Sequence, residues 1–179
     1  MDKKKLPLSP QRTTTGFAFS YIERALQESL ASRQFGQNEM KRVLEYFELD
    51  PPQCVYCGSS EIKRWDHLIA VKNGGETVLG NMVPACSKCD DSKRDLPFEV
   101  WMQSDYPGSP KRRGVFDIQT RIERINAYVR HFEYEVRPLE TRLTPDELTM
   151  LEQVRASIRD ARRECEELIR SFAARNKRR

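Results

Sequence analysis

The sequence predicts a mainly α-helical protein with a small central core and a long C-terminal helical hairpin. Three observations favour this fold: helical spacing of apolar residues at both ends of the chain, two cysteine pairs near the middle, and a charged fraction of 32%. The 179 residues suffice for one domain with extensions. The net charge of +4 is spread along the chain, so charge alone identifies no partner.

Apolar stretches in this sequence are short. None approaches the roughly 18 consecutive apolar residues that a membrane span requires. Lys3, Lys4 and Lys5 are followed by no apolar run of the kind found in secretory signals. We therefore expect a cytoplasmic protein with reduced thiols and no membrane partner.

The chain is predicted to contain five segments. Before the first cysteine, apolar residues recur every three or four positions, and Pro51 and Pro52 end the second helix. Prolines and glycines mark the linker before the hairpin. The segments are a flexible basic arm (1–15), an N-terminal helical region (16–53), the cysteine-bearing core (54–103), a linker (104–115), and a helical hairpin with a basic tail (116–179).

The predicted hairpin carries two apolar seams with a heptad period. One runs from Ile118 to Val136 and the other from Leu151 to Phe172. Thr144 and Pro145 suit the cap and the first position of the second helix. Such seams can pack within the chain or against a second copy, so a homodimer through the C-terminal helices is possible.

The four central cysteines predict a structural zinc site. They form two Cys-x-x-Cys pairs, separated by 28 residues: Cys54, Cys57, Cys86 and Cys89. Four thiolates hold zinc tetrahedrally at about 2.3 Å and leave no open position for chemistry. Disulfides and a redox pair are the alternatives, but a cytosolic chain argues against the first and two paired motifs against the second.

Between the cysteine pairs, the sequence resembles the HNH endonucleases, the ββα-metal nuclease family, in their zinc-stapled form. Two β-like stretches, near residues 62–67 and 82–84, precede a helix that starts near Ser87. The residues that carry the resemblance follow the order of the family pattern: Asp66-His67, Gly74-Gly75, Asn81, and then Asp90 and Lys93 after the last cysteine. The resemblance implies a ββα-metal core over residues 54–101.

The resemblance also implies roles for individual residues. His67 is expected to act as the general base, and Asp66 and Asp90 are expected to bind a catalytic Mg²⁺ or Mn²⁺. Asn81 is expected to brace the loop that orients His67, and Lys93 to contact a phosphate. Asp90 departs from the family, in which asparagine is usual; an aspartate also binds a hard cation and adds negative charge to the site.

The predicted function is that of a metal-dependent DNA endonuclease, of restriction or defence type. The basic run Lys111, Arg112 and Arg113 offers non-specific phosphate contacts. The alternative is a non-catalytic zinc module that binds nucleic acid or protein, and Asp90 is its best support. The two hypotheses differ in whether Asp66, His67 and Asp90 serve a single ion.

Overall fold

The computed structural model describes residues 14–176, which are mainly helical. The helices are α1 (Thr15–Ser29), α2 (Gln37–Tyr46), α3 (Ser87–Lys93), α4 (Phe98–Met102), α5 (Ile118–His131) and α6 (Pro145–Asn176). The strands are β1 (Arg33–Gln34), β2 (Ile62–His67), β3 (Thr77–Val78) and β4 (Met82–Cys86). The predicted mainly α fold with a ββα core is confirmed.

The core is built on an antiparallel pair of strands, β2 and β4. His67 lies opposite Met82 and Asp66 opposite Val83, with an irregularity between Ile62 and Arg64. All five residues of β4 are buried, as is typical of a strand that is covered on both faces. Helix α3 begins directly after β4, so the chain forms a continuous β-β-α unit.

A tight turn at Gly74 and Gly75 returns the chain from β2 toward β4. Gly74 has φ +88, a left-handed conformation that favours glycine. A Cβ atom on Gly75 would lie 1.8 Å from the Ile69 carbonyl oxygen. The turn thus requires both glycines. It is followed by β3, which pairs in parallel with β1.

Aromatic residues fill the core between the sheet and helix α5. The ring of Tyr128 packs at a tilt against two others, with centroid distances of 4.9 Å to Phe47 and 5.4 Å to Tyr46. Its hydroxyl accepts a hydrogen bond from Gly80 N at 2.9 Å and donates one to Met82 O at 2.9 Å. Ile122 and Ile125 are buried on the same helix. The apolar face of α5 therefore belongs to the core of the ββα unit.

The described residues divide into two compact units. One comprises Leu26–Thr144, and the other joins the chain before it to the chain from Pro145 onward. In the second unit an apolar groove is lined by residues of α1 and α6, among them Phe19, Ile22, Met150 and Ile158.

The two helices of the predicted hairpin, α5 and α6, are assigned to different units. The apolar seam of α5 packs against the aromatic core. The other unit contains α6 and α1 up to Ala25. The C-terminal helices themselves are present, and the domain boundaries given by the sequence stay a prediction.

Two predicted features lie wholly or largely outside the described residues. They are the basic arm, apart from residues 14 and 15, and the end of the basic tail at 177–179. Within 14–176, no helix is both long enough and apolar enough to cross a membrane.

The Tyr128 hydroxyl can be tested by Tyr128→Phe. The substitution leaves the buried Gly80 N–H and Met82 carbonyl without their shared partner, so the free energy of unfolding should fall by about 1–3 kcal/mol. Urea denaturation measures the change, with Tyr106→Phe, at an exposed tyrosine, as the matched control. Equal stability of the two variants would contradict this role of Tyr128.

Candidate active site and metal centre

The four paired cysteines meet in one cluster. Their sulfur atoms all lie within 4.8 Å of one another, and Cys57 and Cys86 are 3.7 Å apart. A tight turn holds the first pair, since Gly58 N donates to Cys54 O at 2.7 Å. The second pair spans the end of β4 and the first turn of α3. Four converging thiols are a donor set that fits a tetrahedral zinc ion.

The thiols of the cluster perturb each other's protonation. A hydrogen bond with Cys54 lowers the pKa of Cys57, and the same bond raises the pKa of Cys54 to about 12. Hydrogen bonds with Cys54 and Cys57 raise the pKa of Cys89. One thiolate is thus stabilised at the expense of its neighbours. A divalent cation is what would allow all four to ionise together.

Arg113 lies against this cluster. Its Nη2 donates to Cys89 Sγ at 2.8 Å. Burial lowers the pKa of Arg113, but the charges of Cys89 and Cys57 outweigh it and raise that pKa overall. Lys111 pairs with the Asp105 carboxylate at 3.2 Å, and Arg112 donates to the Asp105 carbonyl at 3.2 Å. Arg113 thus contacts the cysteine cluster, and the phosphate contacts expected of the basic run stay a prediction.

Asp66 is the buried acid of the candidate active site. It is 7% exposed and accepts a hydrogen bond from Tyr56 OH at 2.8 Å. Burial raises its pKa, the charge of Lys93 and the Tyr56 hydrogen bond lower it, and the charge of Asp90 raises it further. The net direction is upward.

Lys93 is fully buried, whereas the resemblance implies that it contacts a phosphate. Its Nζ lies 3.3 Å from Asp66 Oδ2 and donates to His67 O at 2.6 Å. A buried ammonium needs a counter-charge and hydrogen-bond acceptors, and these two residues supply them. Lys93 thus joins α3 to the end of β2, and its charge is directed into the protein.

His67 is the last residue of β2. Its Nε2 lies 2.9 Å from the Thr77 hydroxyl on β3, a contact that fixes the plane of the imidazole. A neutral imidazole can accept a proton near pH 7. The next residue, Leu68, donates its amide to Asn81 O at 2.8 Å.

Asn81 is fully buried and ties the loop together. Its Oδ1 accepts from Ile69 N at 2.8 Å, and its Nδ2 donates to Ile69 O at 3.1 Å and to Glu76 O at 2.8 Å. These bonds hold both sides of the turn that connects His67 to Thr77. Their geometry suits the bracing role that the resemblance implies.

Asp90 lies on α3 and is partly exposed. Its Oδ2 accepts a hydrogen bond from Arg64 Nη1 at 2.5 Å, and the same nitrogen bonds Asp91 Oδ1 at 2.6 Å. Among residues 14–176, only the cysteines bring three or more His, Cys, Asp or Glu ligand atoms within 4.8 Å of one another. Asp66, His67 and Asp90 are not such a group. Carboxylate oxygens such as those of Asp66 and Asp90 nevertheless suit Mg²⁺, which often takes one or two carboxylates and keeps water and phosphate ligands.

Three residues that contact the site were not predicted from the sequence: Tyr56, Arg64 and Thr77. Tyr56 and Thr77 become partners of Asp66 and His67 only through tertiary contacts, so no local pattern indicates them. Arg64 did carry a signal. It lies two residues before Asp66 on a strand, and residues two apart share a face.

The comparisons with known proteins agree with this geometry. The HNH endonuclease family model matches residues 54–96. The CRISPR-associated endonuclease Cas9 of Actinomyces naeslundii is 34% identical over 64 residues, which are 34% of this chain and 6% of that protein. The chain therefore corresponds to only a small part of the length of this relative. No solved structure matches the chain. Residues 54–96, with their ββα fold and four-cysteine cluster, are an HNH endonuclease domain.

Proposed function

We propose that this protein is a metal-dependent DNA endonuclease that hydrolyses phosphodiester bonds, with His67 as the general base. The observation that carries the proposal is the position of His67 at the end of β2, directly after the buried Asp66 and 2.9 Å from the Thr77 hydroxyl. The imidazole would take a proton from the attacking water. The products would carry a 5′-phosphate and a 3′-hydroxyl group.

Asp66 and Asp90 would hold the catalytic ion, Mg²⁺ or Mn²⁺. When bound, such an ion neutralises negative charge that accumulates on the phosphate. Because Lys93 is paired with Asp66 and buried, its proposed role is to position the Asp66 carboxylate and the His67 backbone. Asn81 would keep the loop in place, so that Thr77 continues to orient the imidazole.

The cysteine cluster would hold zinc as a structural ion. The four sulfurs join the turn before β2 to the start of α3, which carries Asp90. Zinc would thereby fix the distance between the two elements that supply Asp66 and Asp90. Thiolate donors suit zinc and carboxylate donors suit Mg²⁺ or Mn²⁺, so the two ions would occupy different sites.

A second candidate function is a non-catalytic module that binds nucleic acid or protein. The observation that favours it is the ion pair between Asp90 and Arg64, which occupies one of the two proposed ligands. We favour the nuclease, because a binding module has no need of a buried Asp66 beside His67.

The proposed biological setting is restriction or defence against foreign DNA in the cytoplasm. The relative from Actinomyces naeslundii is a CRISPR-associated endonuclease, which supports the defence role. Helix α6 exposes Leu168, Ile169 and Phe172, and we propose that this face pairs with a second copy. Two sites in a dimer would cut both strands, whereas a monomer would nick.

Replacement of the general base tests the proposed reaction. His67→Ala should abolish cleavage of a supercoiled plasmid in Mg²⁺ or Mn²⁺ while DNA binding stays nearly intact, because the side chain is needed only for proton transfer. The matched control is His131→Phe, since the His131 ring packs against Tyr46 and Phe132 and a phenyl ring preserves that packing. Undiminished cleavage by the His67 variant would remove this residue from the base role.

Replacement of one cluster thiol tests the structural ion. Cys54→Ser should lower the zinc content of the purified protein and its thermal midpoint, because zinc binding contributes on the order of 10 kcal/mol to the folding of such sites. Cys165→Ser, on α6 and outside the cluster, is the control. Plasma emission spectrometry and calorimetry supply the two readouts. Full zinc content and an unchanged midpoint in Cys54→Ser would contradict the structural role.

A further inference from the structure

Arg64 bridges the two acidic side chains that follow the last cysteine on helix α3. One nitrogen, Nη1, bonds both Asp90 Oδ2 at 2.5 Å and Asp91 Oδ1 at 2.6 Å. The Arg64 side chain is 49% exposed, and Asp91 is exposed as well. Exposed ion pairs of this kind contribute little to stability. Their partners can therefore exchange at little cost.

The Arg64 guanidinium is hydrogen-bonded to the Asp90 carboxylate, which the proposed ion requires as a ligand. Asp90 and Asp66 are the proposed oxygen ligands, and Arg64 is bonded to one of them. A divalent ion at Asp90 places a second positive charge beside the guanidinium, so the two cations compete for the same oxygen atom. Binding of the ion would weaken the Arg64–Asp90 contact.

Arg64 is also better placed than Lys93 to meet a phosphate. Lys93 is fully buried and committed to Asp66 and the His67 carbonyl. Arg64 shares the face of β2 with Asp66, remains half exposed, and carries the planar fork that matches phosphate oxygens in two parallel hydrogen bonds. It is an exposed cation in contact with a proposed metal ligand.

We propose that Arg64 is a substrate-binding residue that exchanges partners: without the divalent ion it neutralises Asp90, and with the ion and DNA bound it contacts a phosphate next to the cleavage site. Asp91 keeps the guanidinium near the site when the contact with Asp90 is lost. This proposal rests on the proposed function, because it takes Asp90 as a ligand of the ion.

The experiment compares Arg64→Gln with Lys63→Gln, each in the full chain carrying His67→Ala so that DNA is not consumed. Lys63 is the exposed neighbouring cation, and its substitution makes the same change in net charge. Isothermal titration with Mn²⁺ measures metal affinity without DNA. Fluorescence anisotropy with a labelled duplex in Ca²⁺, at several salt concentrations, measures DNA binding.

Arg64→Gln should bind Mn²⁺ more tightly than Lys63→Gln, by about fivefold to tenfold, because the competing guanidinium is gone. The same variant should bind DNA more weakly, and the slope of log affinity against log salt should fall by about 0.9, the value for one phosphate contact. Arg64→Lys should retain that slope but bind DNA less tightly than the parent, since an ammonium lacks the bidentate geometry.

Two results would overturn the proposal. The first is a Mn²⁺ affinity of Arg64→Gln equal to or weaker than that of Lys63→Gln. The second is a salt slope unchanged from the parent. Failure of the proposed function has a different signature, namely that the chain with His67 intact cleaves no DNA in Mg²⁺ or Mn²⁺. Both readouts on Arg64 are obtained without cleavage, so the two failures are distinguishable.

Discussion

The convergence of four sulfur atoms is the constraint on which the rest of the ββα unit depends. It brings the turn at residues 54–57 against the junction of β4 and α3, and Arg113 adds a hydrogen bond to one of those sulfurs. Ile62 of β2 lies opposite Cys86, so the strand pairing extends to the same junction. Lys93 then makes a second connection, from α3 to the carbonyl of His67 and the carboxylate of Asp66.

Two acids of the same type lie in different environments in this site. Asp66 is buried, hydrogen-bonded to Tyr56 and paired with the fully buried ammonium of Lys93. Asp90 is partly exposed and paired with a guanidinium that is half exposed. Under the proposed function, a fixed ligand next to an exchangeable one would let the site bind an ion and a phosphate together. Without the ion, Arg64 balances the charge that an aspartate adds at position 90.

Local patterns predicted much of this fold, and tertiary contacts decided the rest. The strand at 62–67, the helix that starts at Ser87 and the cysteine quartet follow from residue spacing, which is visible in the chain. The burial of Lys93 and the contact of Arg113 with sulfur depend on which side chains the folded chain brings together. The apolar residues of α5 do form one buried face of the helix. Their spacing alone, however, does not show whether a partner helix or an aromatic core covers that face.

Anomalous scattering from crystals of the His67→Ala chain, grown with a DNA duplex and Mn²⁺, tests the central claim that sulfur and oxygen donors hold different ions. Data at the zinc and manganese absorption edges should give a zinc peak among the four cysteine sulfurs and a manganese peak between Asp66 and Asp90. The Arg64 guanidinium should be hydrogen-bonded to a DNA phosphate next to the cleavage site. A crystal with DNA bound but no manganese at those carboxylates, or with Arg64 still on Asp90, would contradict the account.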